Sequence, residues 1–552
     1  MRNLGIQNLS DRNRLGIFVI VSVVLLYFIF APATHILYYG GDDFRYAVGG
    51  VKRLCRHDDS FYFMKTLGRP LQAYLDCVVY KFIHTMQQMV FIRILAVVLL
   101  GVGMGLLADW LYTMGFSFWL AFFSAGCLFL IQKLYSDTIL TGALSLPLPV
   151  LFVVVGYRCL AKAHQCSLAL DDQIRQSKTK YFIYASLLFI LALLTYPAMT
   201  FFFGTLVLIK LLFSNLSQWV TTRREVIQDV LLFSLVCLIY FAWASYNMHY
   251  HAHAPIPEQY RMHLNLNLNE LYSRALPLIN VFNGGPWVLL FPLGFPLGGS
   301  LVQGWLTILV LAGGVVSGYM RFIKSNFYLK NKTRALLTLG QVIIFVIGML
   351  VFCSAFYFII PNREDMGSRL IFASVASGFP LLFWSISRCG DILSTQLKFT
   401  MISLVIGLIF FFEGYQANIK IMHDALYYAK TLTFVETQIS QYLLEGKKLR
   451  RVHFVIPGLE HPYNKFFLTN AALVQLFGHE GYEIKWCSLP RGISGMEKDH
   501  QREMMSCMQA LSPDGIAVTY SRPDEPIKKT DGMLMMQNNF DQQNEELRNL
   551  IA

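Results

Sequence analysis

Charge is scarce in this chain: only 14% of its 552 residues are Asp, Glu, Lys or Arg, against 55% hydrophobic ones. Average soluble domains carry roughly 25% charged residues, so the composition excludes an ordinary soluble protein and predicts a multi-pass membrane protein. The ten cysteines are scattered with no CxxC pair. Neither a zinc site nor a disulfide framework is signalled, and most cysteines read as small apolar packing residues. The sequence contains no P-loop, no dinucleotide-binding glycine fingerprint, no HExxH and no GxSxG, so a soluble nucleotide-sugar donor site has no support. Internal repeats and low-complexity blocks are also lacking.

What charge there is leans positive, with a formal net charge of +12. Residues 418–552 hold 15 basic and 16 acidic side chains, which leaves 31 basic against 18 acidic in the first 417 residues. The excess therefore belongs to the apolar part of the chain. A basic nucleic-acid-binding tail is excluded, and the pattern fits charges that set topology and meet anionic lipid.

Residues 15–33 form a nearly uninterrupted apolar stretch, long enough at ~1.5 Å per residue to cross a ~30 Å hydrocarbon core. It follows Arg2, Arg12 and Arg14, and no small-x-small cleavage site follows cleanly before Tyr38-Tyr39. A retained first helix with a cytoplasmic N-terminus is expected. Further spans are expected near 90–109, 116–132, 140–159, 181–195, 198–213, 226–246, 301–320, 335–358, 370–387 and 400–413, about eleven helices in all. The pair flanking Tyr196-Pro197 reads as two short helices or one broken one, and 286–299, rich in proline and glycine, as a re-entrant or interfacial segment. Loops carrying Arg158, Lys162, Arg175, Lys178 and Lys180, then Arg223 and Arg224, then Arg321, Lys324, Lys330, Lys332 and Arg334, then Arg388 and Lys398, are assigned inside. The short turns at 135–139 and 195–198 carry no Lys or Arg and are assigned outside, which puts the C-terminus outside the cytoplasm. The long loop 34–89, with seven basic residues, breaks the positive-inside pattern.

Past Glu413 the composition becomes that of a soluble protein. An amphipathic helix is expected over 418–444, a buried strand at 451–457, a helix at 470–477 and strands at 482–487 and 515–520. The alternation predicts a small extramembrane α/β domain over 417–552 with a polar tail, following a transmembrane domain over 1–416.

The residues with the strongest claim to chemistry lie just beyond the first span, in His35-Ile-Leu-Tyr-Tyr-Gly-Gly-Asp-Asp-Phe-Arg-Tyr46. Gly40-Gly41 frees the backbone to turn, and an aspartate after such a break caps a surface helix. Capping explains one of Asp42 and Asp43 and leaves a carboxylate over. Like charges side by side push one carboxylate pKa upward and suit it to act as a base. Arg45 follows Asp42 on the same face, and Gly68-Arg69-Pro70 presents a second guanidinium from a rigid turn, its planar fork matching phosphate oxygens. Arg363 and Arg369 sit in a short outside loop, 361–369, where the positive-inside rule disfavours them. Phosphate binding and pairing with Glu364 and Asp365 are both open to them. His249, His251 and His253 alternate, but with no nearby cysteine or clear carboxylate partner they are not read as a metal site.

A first helix, Asp-Asp-Phe-Arg at 42–45, Gly-Arg-Pro-Leu at 68–71, many spans and a C-terminal extramembrane tail resemble the GtrII-type bacterial O-antigen glucosyltransferases. That family is similar to the wider GT-C class of polyprenyl-phosphate-sugar-dependent enzymes. The layout covers most of the membrane part, the specific motif about thirty residues. Where the family layout has a Tyr-Gln pair between two mid-chain helices, this chain has Tyr196-Pro197. The resemblance implies a multi-pass enzyme of the bacterial inner membrane that moves glucose from undecaprenyl-phosphate-glucose to O-antigen repeat units of lipopolysaccharide at the periplasmic face, with inversion. It implies Asp42 as base with Asp43 second, and Asp137 in the place of the second-loop acid of the class, where a helix cap is the competing role. No cofactor is expected; class members work with or without a divalent metal. Competing readings are another polyprenyl-phosphate-sugar transferase acting on lipid A or protein, a flippase for lipid-linked sugars, and a polymerase or ligase using a diphosphate-linked donor.

Overall fold

In a hydrocarbon environment every backbone N–H and C=O must be satisfied within the chain, so long apolar runs fold as helices. The computed structural model describes residues 10–38, 64–83, 86–130, 144, 147–167, 172–250, 300–325, 328–329, 331–359, 372–390 and 395–444, with strands at 451–456, 483–488 and 515–519. Among these, six helices are long and apolar enough to cross a membrane: Asp11–Ile29, Gln87–Thr113, Ser177–Thr195, Trp219–His249, Lys332–Cys353 and Leu397–Leu426. Shorter apolar helices lie at Phe118–Phe129, Pro197–Phe213 and Leu309–Ile323. The protein is a helical membrane protein.

The elements used below are α1 (Asp11–Ile29), α2 (Pro70–Tyr80), α3 (Met86–Thr113), α4 (Phe118–Phe129), α5 (Pro147–Ser167), α6 (Asp172–Thr195), α7 (Phe202–Phe213), α8 (Trp219–Tyr250) and α9 (Thr395–Leu444). Their ends have local causes. Ser10 caps α1, its hydroxyl accepting from the Asn13 N–H at 3.4 Å, and Ser117 caps α4 in the same way. The apolar run through 181–213 breaks at Tyr196, which is extended (φ −152°) with Pro197 in the first helical position after it. Proline's ring clashes with a helical residue before it, so the break is written in the dipeptide. A span expected near 140–159 instead gives a helix beginning at Pro147, where proline's fixed φ suits a first turn.

Two expectations about the C-terminal part of the membrane region change. The last span was expected to end at Glu413, with a separate helix over 418–444. Instead α9 runs 50 residues from Thr395 to Leu444 without a break. Glu413 is fully buried and does not end the helix. Gly414, one residue on, lies against the Ile29 side chain, and the Asn418 side-chain amide donates to the Ile29 carbonyl at 2.8 Å. Tertiary packing against the end of α1 thus carries the helix through a sequence that looks like a boundary.

The chain divides into two units, one made of Met1–Pro32, Arg53–Val79 and Phe91–Lys420, the other of Ala33–Lys52, Tyr80–Val90 and Ile421–Ala552. In the first, α3 meets α1 through Gly101 and Gly105. A Cβ on Gly101 would stand 2.6 Å from the Val23 Cα, so only glycine admits this backbone approach. It is the small-xxx-small device by which membrane helices gain van der Waals contact without a hydrophobic driving force. Phe189, Phe203 and Phe233 join α6, α7 and α8, with Phe203 and Phe233 stacked at 4.3 Å between centroids. In the second unit, β1 (Arg451–Ile456), β2 (Glu483–Ser488) and β3 (Gly515–Thr519) pair in parallel in the order β2-β1-β3. Val452 is in register with Ile484 on one side and Ile516 on the other. The expected helix at 470–477 lies outside the described residues.

Candidate functional site

Of the residues assigned to chemistry from the sequence, Arg69 is among those described; Asp42, Asp43, Arg45, Asp137, Arg363 and Arg369 lie outside them. The Gly68-Arg69-Pro70 turn is built tightly. Gly68 takes φ +81°, a left-handed conformation that favours glycine. Its N–H donates to the Lys65 carbonyl at 3.1 Å, and the Arg69 N–H to the Met64 carbonyl at 2.9 Å. Pro70 then opens α2, and the Ala73 N–H closes the first turn onto the Arg69 carbonyl at 3.1 Å.

Two tyrosines from distant parts of the chain, one at a helix break and one on α8, fix this turn to the bundle. The Tyr240 hydroxyl of α8 donates to the Gly68 carbonyl at 2.7 Å. The Arg69 guanidinium lies over the ring of Tyr196, 4.4 Å from its centroid. A cation over an aromatic face gains about 0.5–2 kcal/mol, more as water is excluded. The Arg69 Nε is buried and has no hydrogen-bond partner among the described residues. A guanidinium held by its face, with N–H groups left over, is a donor awaiting an acceptor.

Three other cations of the first unit, Arg14, Arg158 and Lys210, are already paired with carboxylates. Asp109, 2% exposed, takes Arg14 Nε on Oδ1 at 2.9 Å and Arg158 on Oδ2 at 2.7 Å. Arg158 also donates to the Leu106 carbonyl at 2.7 Å. Arg158, counted from sequence as a loop charge, instead belongs with Asp109, at the end of the expected 90–109 span, to an ion cluster around a buried carboxylate. Burial forces this outcome, since an unpaired charge in an apolar interior costs several kcal/mol. A second cluster joins His164 to Asp229 at 2.6 Å, and Lys210 to Glu225 at 2.9 Å and to Asp229 at 3.5 Å. Sequence reasoning missed it, although Asp229 inside an apolar span was a visible signal. About three helical turns of α8, roughly 16 Å at the α-helical rise, separate Asp229 from Tyr240. The Asp229 cluster and the Arg69 turn therefore meet α8 at different levels.

Two further residues went unread. Arg93 is fully buried in α3, and an arginine within the run 90–109 is itself a signal of function. Glu413 is fully buried, and neither carboxyl oxygen has a hydrogen-bond partner among the described residues. Nearby, the Cys127 thiol lies 3.8 Å from the Ile406 carbonyl.

Cys77 of α2 is disulfide-bonded. Cys77 is thus not one of the small packing residues that most cysteines are read as, and pairing depends on approach in space, which scattered cysteines do not announce. Of the alternating histidines, His249 is helical, near the end of α8; His251 and His253 lie outside the described residues. Among the described residues no group of three or more His, Cys, Asp or Glu is placed to hold a metal ion.

Compared with known proteins, no family model matches the chain and no curated protein matches it.

Proposed function

We propose that the protein is a GT-C-type glycosyltransferase that takes glucose from undecaprenyl-phosphate-glucose and gives it to O-antigen repeat units of lipopolysaccharide. The observation that carries the reading is the Arg69 turn: a guanidinium anchored to membrane helices, stacked on Tyr196, with a buried N–H and no anionic partner among the described residues. A lipid phosphate is an acceptor of matching geometry and charge. The Cys77 disulfide adds support for a 34–89 loop on the periplasmic side, since disulfides persist in oxidising compartments.

In the proposed reaction the acceptor hydroxyl gives its proton to the Asp42 carboxylate while its oxygen attacks the anomeric carbon. The bond from that carbon to the phosphate oxygen breaks, and the electron pair leaves on the lipid phosphate. One displacement inverts the anomeric centre. Charge grows on the leaving phosphate, so cations there stabilise the transition state more than the ground state. Arg45, Arg69, Arg363 and Arg369 are assigned to that phosphate, Asp43 supports the base, and Asp137 is a second acid. The fuller architecture belongs to the same proposal: about eleven membrane helices, a periplasmic C-terminal α/β domain and an inner-membrane location.

Cells test the acceptor. Lipopolysaccharide from cells carrying the wild-type protein should contain one added hexose per modified O-antigen repeat, absent with Asp42→Asn, as read by mass spectrometry of the released glycan. An Asp42-dependent hexose found instead on lipid A or on protein would identify a different polyprenyl-phosphate-sugar transferase.

A further inference from the structure

We infer that Tyr196 and Tyr240 are positioning residues that hold the Arg69 guanidinium ready for the phosphate of a polyprenyl-phosphate lipid. This rests on the lipid-phosphate reading above and adds two side chains that neither the sequence motif nor its spacing indicated. An arginine side chain is long and has much rotamer entropy to lose on binding. At a membrane surface it ordinarily snorkels toward water and headgroups.

Here that freedom is removed at both ends. At the backbone end, Gly68 adopts φ +81°, and the Tyr240 hydroxyl takes its carbonyl at 2.7 Å. The fit is close enough that a Cβ on Gly68 would stand 2.7 Å from the Tyr240 Oη. At the guanidinium end, the ring of Tyr196 lies 4.4 Å from Cζ. Stacking engages the face of the guanidinium and leaves its in-plane N–H groups to donate. Arg69 has no carboxylate partner among the described residues, whereas Arg14, Arg158 and Lys210 each have one. Tyr196 is placed by the break before Pro197, and Tyr240 lies on α8, so three separate segments of the chain meet at the Gly68-Arg69 turn. Preorganisation of this kind lowers the ordering cost when the ligand arrives.

The test uses the full-length protein in lipid nanodiscs and the dissociation constant of a short-chain polyprenyl phosphate. Tyr196→Leu should weaken binding about tenfold, the loss of a well-formed cation–π contact. Tyr196→Phe, which keeps the ring, should stay within about twofold of wild type, and Tyr240→Phe should weaken binding by about three- to tenfold through loss of one hydrogen bond. Because both tyrosines act through Arg69, neither substitution should weaken binding further in an Arg69→Gln background, a coupling that a general packing defect does not produce. If Tyr196→Leu does not fold, as read from its melting transition, the Tyr240→Phe cycle decides alone. Wild-type affinity in Tyr196→Leu or in Tyr240→Phe, or an undiminished loss in the Arg69→Gln background, overturns the positioning role. Failure of the wild-type protein to bind the lipid phosphate overturns the lipid-phosphate reading and this inference with it. Binding that Arg69→Gln weakens and both tyrosine variants leave intact overturns this inference alone.

Discussion

Asp42→Asn is expected to lower the turnover number for glucosyl transfer by about 10²–10⁴-fold, the range for loss of a positioned general base. The substitution isolates charge from structure. Asparagine caps a helix as well as aspartate does, so a capping role for residue 42 survives the change and the melting temperature should move little. The amide cannot take the acceptor's proton, and the loss should therefore fall on kcat more than on donor binding. Asp43→Asn serves as the internal comparison: its expected loss is smaller, since residue 43 supports the base without being it. Full loss in Asp43→Asn with near-normal turnover in Asp42→Asn would exchange the two roles. Normal turnover in both would remove the pair from the mechanism.

The second large effect concerns stability. Asp109→Ala should destabilise the protein by about 3–5 kcal/mol, the usual cost of leaving buried charge uncompensated. Both carboxyl oxygens are in use, one by Arg14 at 2.9 Å and one by Arg158 at 2.7 Å, and Asp109 is only 2% exposed. Removing it leaves Arg158 of α5 without a carboxylate among the described residues and Arg14 of α1 with the exposed Asp11 alone, at 2.8 Å. Thermal unfolding in nanodiscs reads the effect. Replacing Arg14, Asp109 and Arg158 together by apolar residues of similar size should recover much of the loss, because the penalty lies in the unpaired charge. An unchanged melting temperature in Asp109→Ala would mean that water or lipid headgroups already solvate the cluster.

These two predictions differ in how far the sequence anticipated them. The first-loop motif was legible because two adjacent aspartates after Gly40-Gly41 exceed what a helix cap requires. The first helix was legible from its apolar run, and the break at Tyr196 from the proline that follows it. The Asp109 cluster was not legible, since its partners lie 95 and 49 positions away and each arginine alone looks like a topology-setting loop charge. Tyr240 meets Gly68 across 172 positions, and nothing in a tyrosine within an apolar span announces that contact. The continuity of α9 failed for a related reason. A charged residue followed by polar ones marks a boundary in composition, yet Glu413 is enclosed by packing. Local pattern thus identified the helix break, whereas the pairing of charges and aromatics across helices required the fold.

The central claim is that the protein consumes a lipid-phosphate-linked sugar, and isotope transfer tests it most directly. Purified full-length protein in proteoliposomes, supplied with glucose-labelled polyprenyl-phosphoglucose and an O-antigen glycan, should move label to the glycan in step with release of free polyprenyl phosphate. Label that stays on the lipid in the presence of the glycan, with the intact lipid crossing the bilayer, would contradict the account and identify a carrier of lipid-linked sugar.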